Sequence, residues 1–341
     1  MGLLNGCGEK EVTENVTLLS VASENDYIAN TINNTVERYA RDNNLLYKQR
    51  QINGEKPEDI EAEIQSAVEA GADVIVCRGT IFEVAIYNAQ SQYKNVKFII
   101  IDGAPRKAEG KKYQVRKNTQ VIIYAEEQGG FLAGYAAVKD GYKNLGFIGG
   151  VPSESVIRYG SGYVQGANYA AEEMGLAKDK IIVRFMYIGN NNMSPALMEM
   201  AGQWYDDGCE VIFTSGGTIG TAVMKAAEQK DAKVIGVDTD QSKDSDTVIT
   251  SVIKEIEGTL YSSLKSVYND EFKGKKVEAM NVADGGIALA IDTAQFVSFT
   301  QQDYSAIIEK MTSKDFKLSG EDAKTIYETE NGFESITVEM E

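Results

Sequence analysis

One scheme recurs along this chain: short, continuously apolar runs alternate with stretches of helical period, and the scheme runs through twice. The first set offers strands over Val16–Val21, Leu45–Gln49, Asp73–Cys77, Val96–Asp102 and Thr119–Tyr124. Helices are predicted between them, over Ala29–Asp42, from Pro57 to Gly71, and over Ala85–Gln92. The second set offers strands over Leu145–Gly149, Ile181–Tyr187, Glu210–Thr214 and Lys233–Asp238, with helices over Ser161–Met174, Pro195–Asp206 and Gly220–Gln229. Strands without polar alternation need cover on both faces, which points to parallel sheets wrapped by crossover helices. Such crossovers are nearly always right-handed, so each set is expected to form a doubly wound α/β sheet. The repetition predicts two lobes side by side. Four prolines and no Ser/Pro-rich stretch argue against a flexible tether between them. The most apolar helical stretch, Gly129–Val138, is far too short for a bilayer, which needs ~20 residues. Its Gly130 and Gly134 predict a close contact with another helix.

Composition narrows the chemistry. The 341 residues include 51 acidic and 34 basic side chains, a formal charge of −17, and no histidine. A chain this acidic, with no segregated basic patch, is not expected to bind nucleic acid. Without histidine there is no Ser-His-Asp triad, no imidazole base and no His-ligated zinc. Carboxylate, lysine or tyrosine chemistry stays open on composition alone.

Of the three cysteines, Cys77 and Cys209 border apolar runs and are expected in the core. Cys7 differs. It stands in Leu4-Asn5-Gly6-Cys7, ahead of a polar, acidic stretch. The pattern is similar to the lipobox in which a cysteine becomes the lipidated first residue of a bacterial lipoprotein. The charged and apolar segments that normally precede a lipobox are not in this sequence. Lipidation at Cys7, and with it attachment to a membrane, is the expectation.

In open α/β sheets, ligands bind beyond the carboxyl ends of the strands. Asn25, Asp26 and Tyr27 follow the first strand, Arg78 to Thr80 the third, and Asp102 and Gly103 the fourth. In the second set, Gly149, Gly150, Arg158 and Tyr159 follow the first strand and Asn190 to Asn192 the second. Ser215-Gly216-Gly217-Thr218 follows the third, and Asp238 to Gln241 the fourth. Hydrogen-bonding groups dominate this set, which suits a neutral hydroxylated ligand. The Gly216-Gly217 turn lets backbone approach a ligand, but it is neither a Walker A loop nor a G-x-G-x-x-G fingerprint. Asp238 and Asp240 could accept a pair of sugar hydroxyls, hold a metal or meet only water; the converging oxygens a metal wants are not visible. No metal site and no cofactor are expected. Tyr27 could stack on a planar ring or sit half-buried in the core.

Taken together, the chain resembles the basic-membrane-protein (BMP) family of bacterial substrate-binding lipoproteins, relatives of the purine nucleoside receptor of ABC transporters. The resemblance runs from about Val16 to Ala290. It is carried by Glu126-Glu127-Gln128-Gly129-Gly130-Phe131-Leu132-Ala133-Gly134, Gly146-Phe147-Ile148-Gly149-Gly150 and Val156-Ile157-Arg158-Tyr159 with Gly162 and Gly166. The Ser215 to Thr218 turn, Gly236-Val237-Asp238-Thr239-Asp240-Gln241 and Thr250-Ser251-Val252-Ile253-Lys254 complete it. The resemblance implies a type I periplasmic-binding fold, two doubly wound lobes joined by a hinge and closing on the ligand. It implies that Asp238 and Lys254 hold a ribose, that Gly216 and Gly217 form the ligand turn, and that Asp102 lies near the ligand. Arg158, Asn191, Asn25 and Asp26 complete the expected ligand set, and Tyr27 supplies an aromatic face for the base. The second aromatic expected of such proteins is replaced here by Asn190-Asn191-Asn192-Met193.

The expected organisation is a tail over residues 1–14, one lobe over 15–142 plus 251–280, and a second over 143–250 plus 281–341. The chain is expected to cross back near Ser251. The function implied is an extracytoplasmic, lipid-anchored, monomeric solute-binding protein of an ABC importer, taking a nucleoside, with the ABC permease and the membrane as partners. Two alternatives stay within the fold: a sugar, flavin-like or other polar solute, or a membrane-tethered ligand sensor. A hydrolase built on Asp238 and Asp240 is the other class considered; no nucleophile or metal motif supports it. The expectation is a protein that is not an enzyme.

Overall fold

A computed structural model of the protein describes residues 15–21, 27–54, 56–110, 112–320, 323 and 333–341. The chain forms two compact units, Met1–Ile123 with Ile256–Ala279, and Tyr124–Glu255 with Met280–Glu341.

The first unit is built on a six-stranded sheet. Its strands are β1 (Val16–Val21), β2 (Tyr47–Ile52), β3 (Val74–Arg78), β4 (Lys97–Ile101), β5 (Thr119–Tyr124) and β11 (Lys276–Met280), in the order β11-β5-β4-β3-β1-β2. β2, β1, β3, β4 and β5 pair in parallel. Helices α1 (Tyr27–Asp42), α2 (Pro57–Glu69), α3 (Glu83–Gln92) and α8 (Ile256–Tyr268) belong to this unit. α2 shows why these stretches are helical. Pro57 opens it with its φ already set, Glu58 and Asp59 face the positive helix end, and Ile60, Ile64 and Ala67 form the buried stripe. That stripe packs with Ile75, Cys77, Phe98 and Ile100 of β3 and β4 in one apolar core, so Cys77 is a core residue as expected.

The second unit carries a seven-stranded sheet. It adds β6 (Asn144–Gly149), β7 (Ile182–Tyr187), β8 (Val211–Ser215), β9 (Lys233–Asp238), β10 (Val248–Lys254), β12 (Ile287–Leu289) and β13 (Thr337–Met340), in the order β12-β10-β9-β8-β6-β7-β13. All neighbours pair in parallel except β10 and β12. Its helices are α4 (Glu126–Asp140), α5 (Glu154–Glu173), α6 (Pro195–Asp206), α7 (Ile219–Lys230) and α9 (Gln301–Met311). Among the described residues, no helix is long and apolar enough to cross a membrane. Cys209 is buried with Trp204, Ile212 and Val223, and burial pushes its thiol up to about 12.

α4 and α5 pack backbone to backbone. A Cβ on Gly130 or Gly134 of α4 would stand 2.1 or 2.0 Å from the carbonyl oxygen of Tyr159 or Tyr163. Reciprocally, a Cβ on Gly162 or Gly166 of α5 would stand 2.0 Å from the carbonyl oxygen of Glu127 or Phe131. The contact predicted for Gly130 and Gly134 is therefore real, and its partner is a second pair of glycines four residues apart.

This contact moves two expected boundaries. The division falls between Ile123 and Tyr124, not after residue 142, because α4 packs on α5 of the second unit. The chain leaves the second unit after Glu255 rather than near Ser251, because β10 pairs with β9 and β12. A third difference concerns α5, which starts at Glu154 instead of Ser161. The Ser153 hydroxyl accepts from the Val156 amide and caps the helix, so Arg158 and Tyr159 ride on its first turns.

At the far end of α5, Glu173 ties α9 down. Lys310 donates to one oxygen, and Tyr135 (2.7 Å) and Lys139 (3.2 Å) donate to the other. The Lys310 and Tyr135 hydrogen bonds lower the Glu173 carboxyl from 4.5 to about 2. The unfolded chain then binds the proton first as pH falls. The stabilisation is complete above about pH 4.5 and is lost on the way down to about 2. Urea midpoints of wild type and Glu173→Gln are expected to differ at pH 6 and to converge towards pH 3. A difference that does not shrink with acidification would contradict the assignment.

Candidate functional site

The carboxyl ends of β9 and β10 carry the two residues that the resemblance assigns to a ribose. Ile253 is the register partner of Asp238, so Lys254 stands one residue further along the neighbouring strand. Asp238 holds φ +68°, a left-handed conformation uncommon outside glycine, and the loop after it is tightly determined. The Gln241 side-chain oxygen accepts from the Val237 amide at 3.0 Å, and the Gln241 amide donates to the Ser251 hydroxyl at 3.0 Å. Asp240 accepts from the Ser242 amide at 3.0 Å and from the Thr293 hydroxyl at 2.8 Å. Burial raises the Asp240 carboxyl, but the Ser242 and Thr293 hydrogen bonds outweigh that and hold it low. Both Asp240 oxygens thus fasten the loop.

Lys254 is buried with a counter-charge. Its Nζ lies 2.8 Å from Glu126 Oε1, and both side chains are at most 2% exposed. The other Glu126 oxygen lies 2.8 Å from Arg158 Nη2. These are close ionic contacts rather than aligned hydrogen bonds. The Lys254 ammonium also lies 5.1 Å from the centroid of the Tyr124 ring and 5.8 Å from that of Tyr159, at cation–π range. The Tyr159 hydroxyl donates to Asp238 Oδ1 at 3.3 Å, so one tyrosine meets both proposed ribose residues. Glu127 stands 3.9 Å from Arg158 Nε. Burial raises its carboxyl, with Glu126 adding to the rise; its own backbone amide and Arg158 act against it.

A second group in the same unit surrounds the glycine turn. Gly216 and Gly217 have φ of +139° and +51°, and a Cβ on Gly217 would stand 2.5 Å from the Asn191 carbonyl oxygen. Asn191 joins three loops. Its side-chain oxygen accepts from the Val151 amide at 2.9 Å, and its carbonyl accepts from the Thr218 amide at 2.9 Å. The Met193 amide in turn donates to the Thr218 hydroxyl at 2.9 Å. Asn191→Ala is expected to cost about 1 kcal/mol of stability and to loosen the turn, since the Val151 amide loses its acceptor. Thermal unfolding checks this; an unchanged midpoint would remove Asn191 from that role.

In the first unit, Asp102 closes the approach from β4 with φ +53°, and its carboxylate lies 3.5 Å from Arg78 Nε at the end of β3. Tyr27 opens α1 and is 58% exposed, which removes the reading of a half-buried core tyrosine. Asn25, Asp26 and Cys7 lie outside the described residues.

The structure therefore brings Asp238, Lys254 and Arg158 into one cluster, gathers Gly216, Gly217 and Asn191 around one turn, and pairs Asp102 with Arg78. Arg78 and Tyr159 stood among the strand-end candidates of the sequence without a role of their own, and Glu126 and Tyr124 were not among them. The available signal for Glu126 was an acidic pair opening an otherwise apolar helix. That pattern also serves the helix dipole and so did not stand out.

Two α/β units, each a largely parallel sheet with polar groups at its strand ends, make a fold of the periplasmic-binding type. The comparisons agree with that class. A protein from Conexibacter woesei, "ABC transporter system solute-bindng protein", superposes with a TM-score of 0.70 at 19% identity, covering 90% of this chain and 99% of that one. A protein from Lactococcus lactis subsp. cremoris, "ABC transporter nucleoside-binding protein BmpA", is 28% identical over 69% of this chain and 68% of its own length. "Basic membrane protein B" of Borreliella afzelii is 33% identical over 53% of this chain; the match spans about half of that relative's length, 53%. The Bmp family, described as "ABC transporter substrate-binding protein PnrA-like", matches residues 15–321. The chain belongs to the Bmp family of ABC transporter substrate-binding proteins.

Proposed function

We propose that the protein is an extracytoplasmic receptor that captures a nucleoside, with a purine base, for delivery to an ABC permease. The observation that carries this reading is the pair on adjacent strand ends: the Asp238 carboxylate and the buried Lys254 ammonium, both touched by Tyr159. A carboxylate accepts two vicinal hydroxyls through charge-assisted bonds, and an ammonium donates to a hydroxyl oxygen. The Gly216-Gly217 turn offers backbone at close approach. Tyr27 is exposed for stacking on a base, with Asn25 and Asp26 beside it in sequence for the base's polar edge, and Asp102 would lie near the ligand. The printed name of the lactococcal relative supports the ligand class. Ligand drives a conformational response only through differential affinity for two states, so the same contacts would set the signal to the permease. Cys7 would carry the lipid anchor, and the protein would act as a monomer without a cofactor.

Native mass spectrometry and the ultraviolet spectrum of protein purified without denaturation test the ligand class. The expected result is a bound mass equal to a nucleoside, released on unfolding with a base absorbance. A retained sugar or flavin would contradict the reading. Mass spectrometry of Cys7 in protein from the native membrane tests the anchor; an unmodified, unprocessed cysteine would overturn it.

A further inference from the structure

We infer that Glu126 is a positioning residue for the ligand: it aims the Lys254 ammonium at a sugar hydroxyl. The inference rests on the nucleoside reading above. Three observations carry it. Glu126 is fully buried at the start of α4, where an acid serving only the helix dipole would face water. Its two oxygens are divided between two cations on different elements, Lys254 of β10 and Arg158 of α5, each at 2.8 Å. Lys254 is then bounded by the Tyr124 and Tyr159 rings, and Tyr159 also reaches Asp238. An ammonium has three donors in tetrahedral array. The Glu126 carboxylate on one side and the two rings around it fix where that ammonium stands, next to the strand end that carries Asp238. A structural role alone would be served as well by apolar residues of similar volume, since a buried ion pair gains little net stability over them.

The test is calorimetric binding of inosine and of its 2′,3′-dideoxy analogue to wild type, Glu126→Gln, Lys254→Met and the double variant. Glu126→Gln keeps the side-chain shape and removes the charge. It is expected to weaken inosine binding about 30-fold, the loss of one hydrogen bond from a charged donor, while the dideoxy analogue binds within twofold of wild type. Lys254→Met should show the same pattern, and the double variant should be no weaker than Lys254→Met. Where Glu126→Gln does not fold, Glu126→Asp keeps the charge and withdraws it by one methylene, and the same selective loss is expected. Equal losses for both ligands, or additive losses in the double variant, overturn the inference and leave the nucleoside reading standing. Wild type that binds neither inosine nor any other nucleoside overturns the reading, and the inference with it.

Discussion

Gly134→Ala is expected to lower the unfolding free energy by about 3 kcal/mol, against the trend for glycine-to-alanine changes in helices. In an open helix the change stabilises by about 1 kcal/mol, because glycine gives up more backbone entropy on folding. Here the added Cβ would stand 2.0 Å from the Tyr163 carbonyl oxygen, well inside contact distance, and the obstacle is backbone. α4 and α5 would have to separate along the line where Gly130, Gly134, Gly162 and Gly166 interlock, with the cost of an overpacked core. Gly202→Ala in α6 is the control, since the nearest atom to its added Cβ is the end of the Lys230 side chain at 3.7 Å. Urea unfolding should give opposite signs for the two variants. A Gly134→Ala protein as stable as wild type would show that the helix pair yields freely. The contact matters for function because the same packing sets Glu126 of α4 beside Arg158 of α5.

Asp238→Asn is expected to weaken nucleoside binding about 100-fold while leaving stability within about 0.5 kcal/mol. Asparagine is chosen because Asp238 sits at φ +68°, where asparagine is tolerated and alanine would add strain of its own. The amide keeps size and one acceptor but loses the charge, so two charge-assisted bonds to vicinal hydroxyls are each weakened. Calorimetry with an intact ribonucleoside measures the loss, and thermal unfolding without ligand measures the control. Loss of affinity accompanied by an equal loss of stability would assign Asp238 to the fold of the loop instead.

The centres of the two sheets were legible because strands such as β3, β4 and β8 are almost wholly apolar; β2, with Lys48, Gln49, Arg50 and Gln51, runs to Ile52 rather than ending at Gln49, and no strand was expected over β10 to β13. Runs such as Asp73-Val74-Ile75-Val76-Cys77 and Val96 to Asp102 have few other places to go in a folded chain. The start of α5 was not legible: Val156 and Tyr159 do continue its buried face, but Gly160, Gly162 and Gly166 weaken the helical pattern, and the first turn is set by the Ser153 cap. Nor was the unit to which α4 belongs. Its glycines predict a close contact but do not say with which helix, and the answer lies with Gly162 and Gly166. Asp238, Lys254 and the Gly216-Gly217 turn could be picked out because strand ends are where ligands bind and because the resemblance matched them residue by residue. Glu126 could not, because its partners Lys254 and Arg158 come from other elements and nothing local marks it as buried. Asn191 shows the converse. It was singled out as a polar residue beyond a strand, and the structure commits its side-chain oxygen to the Val151 amide.

The most direct measurement is isothermal titration calorimetry of refolded, ligand-free protein against purine ribonucleosides, pyrimidine ribonucleosides and free pentoses and hexoses. The expected result is saturable one-to-one binding of at least one purine ribonucleoside, no comparable heat from the free sugars, and markedly weaker binding in Asp238→Asn and Lys254→Met. No binding of any nucleoside, or binding that both variants leave undiminished, would contradict it.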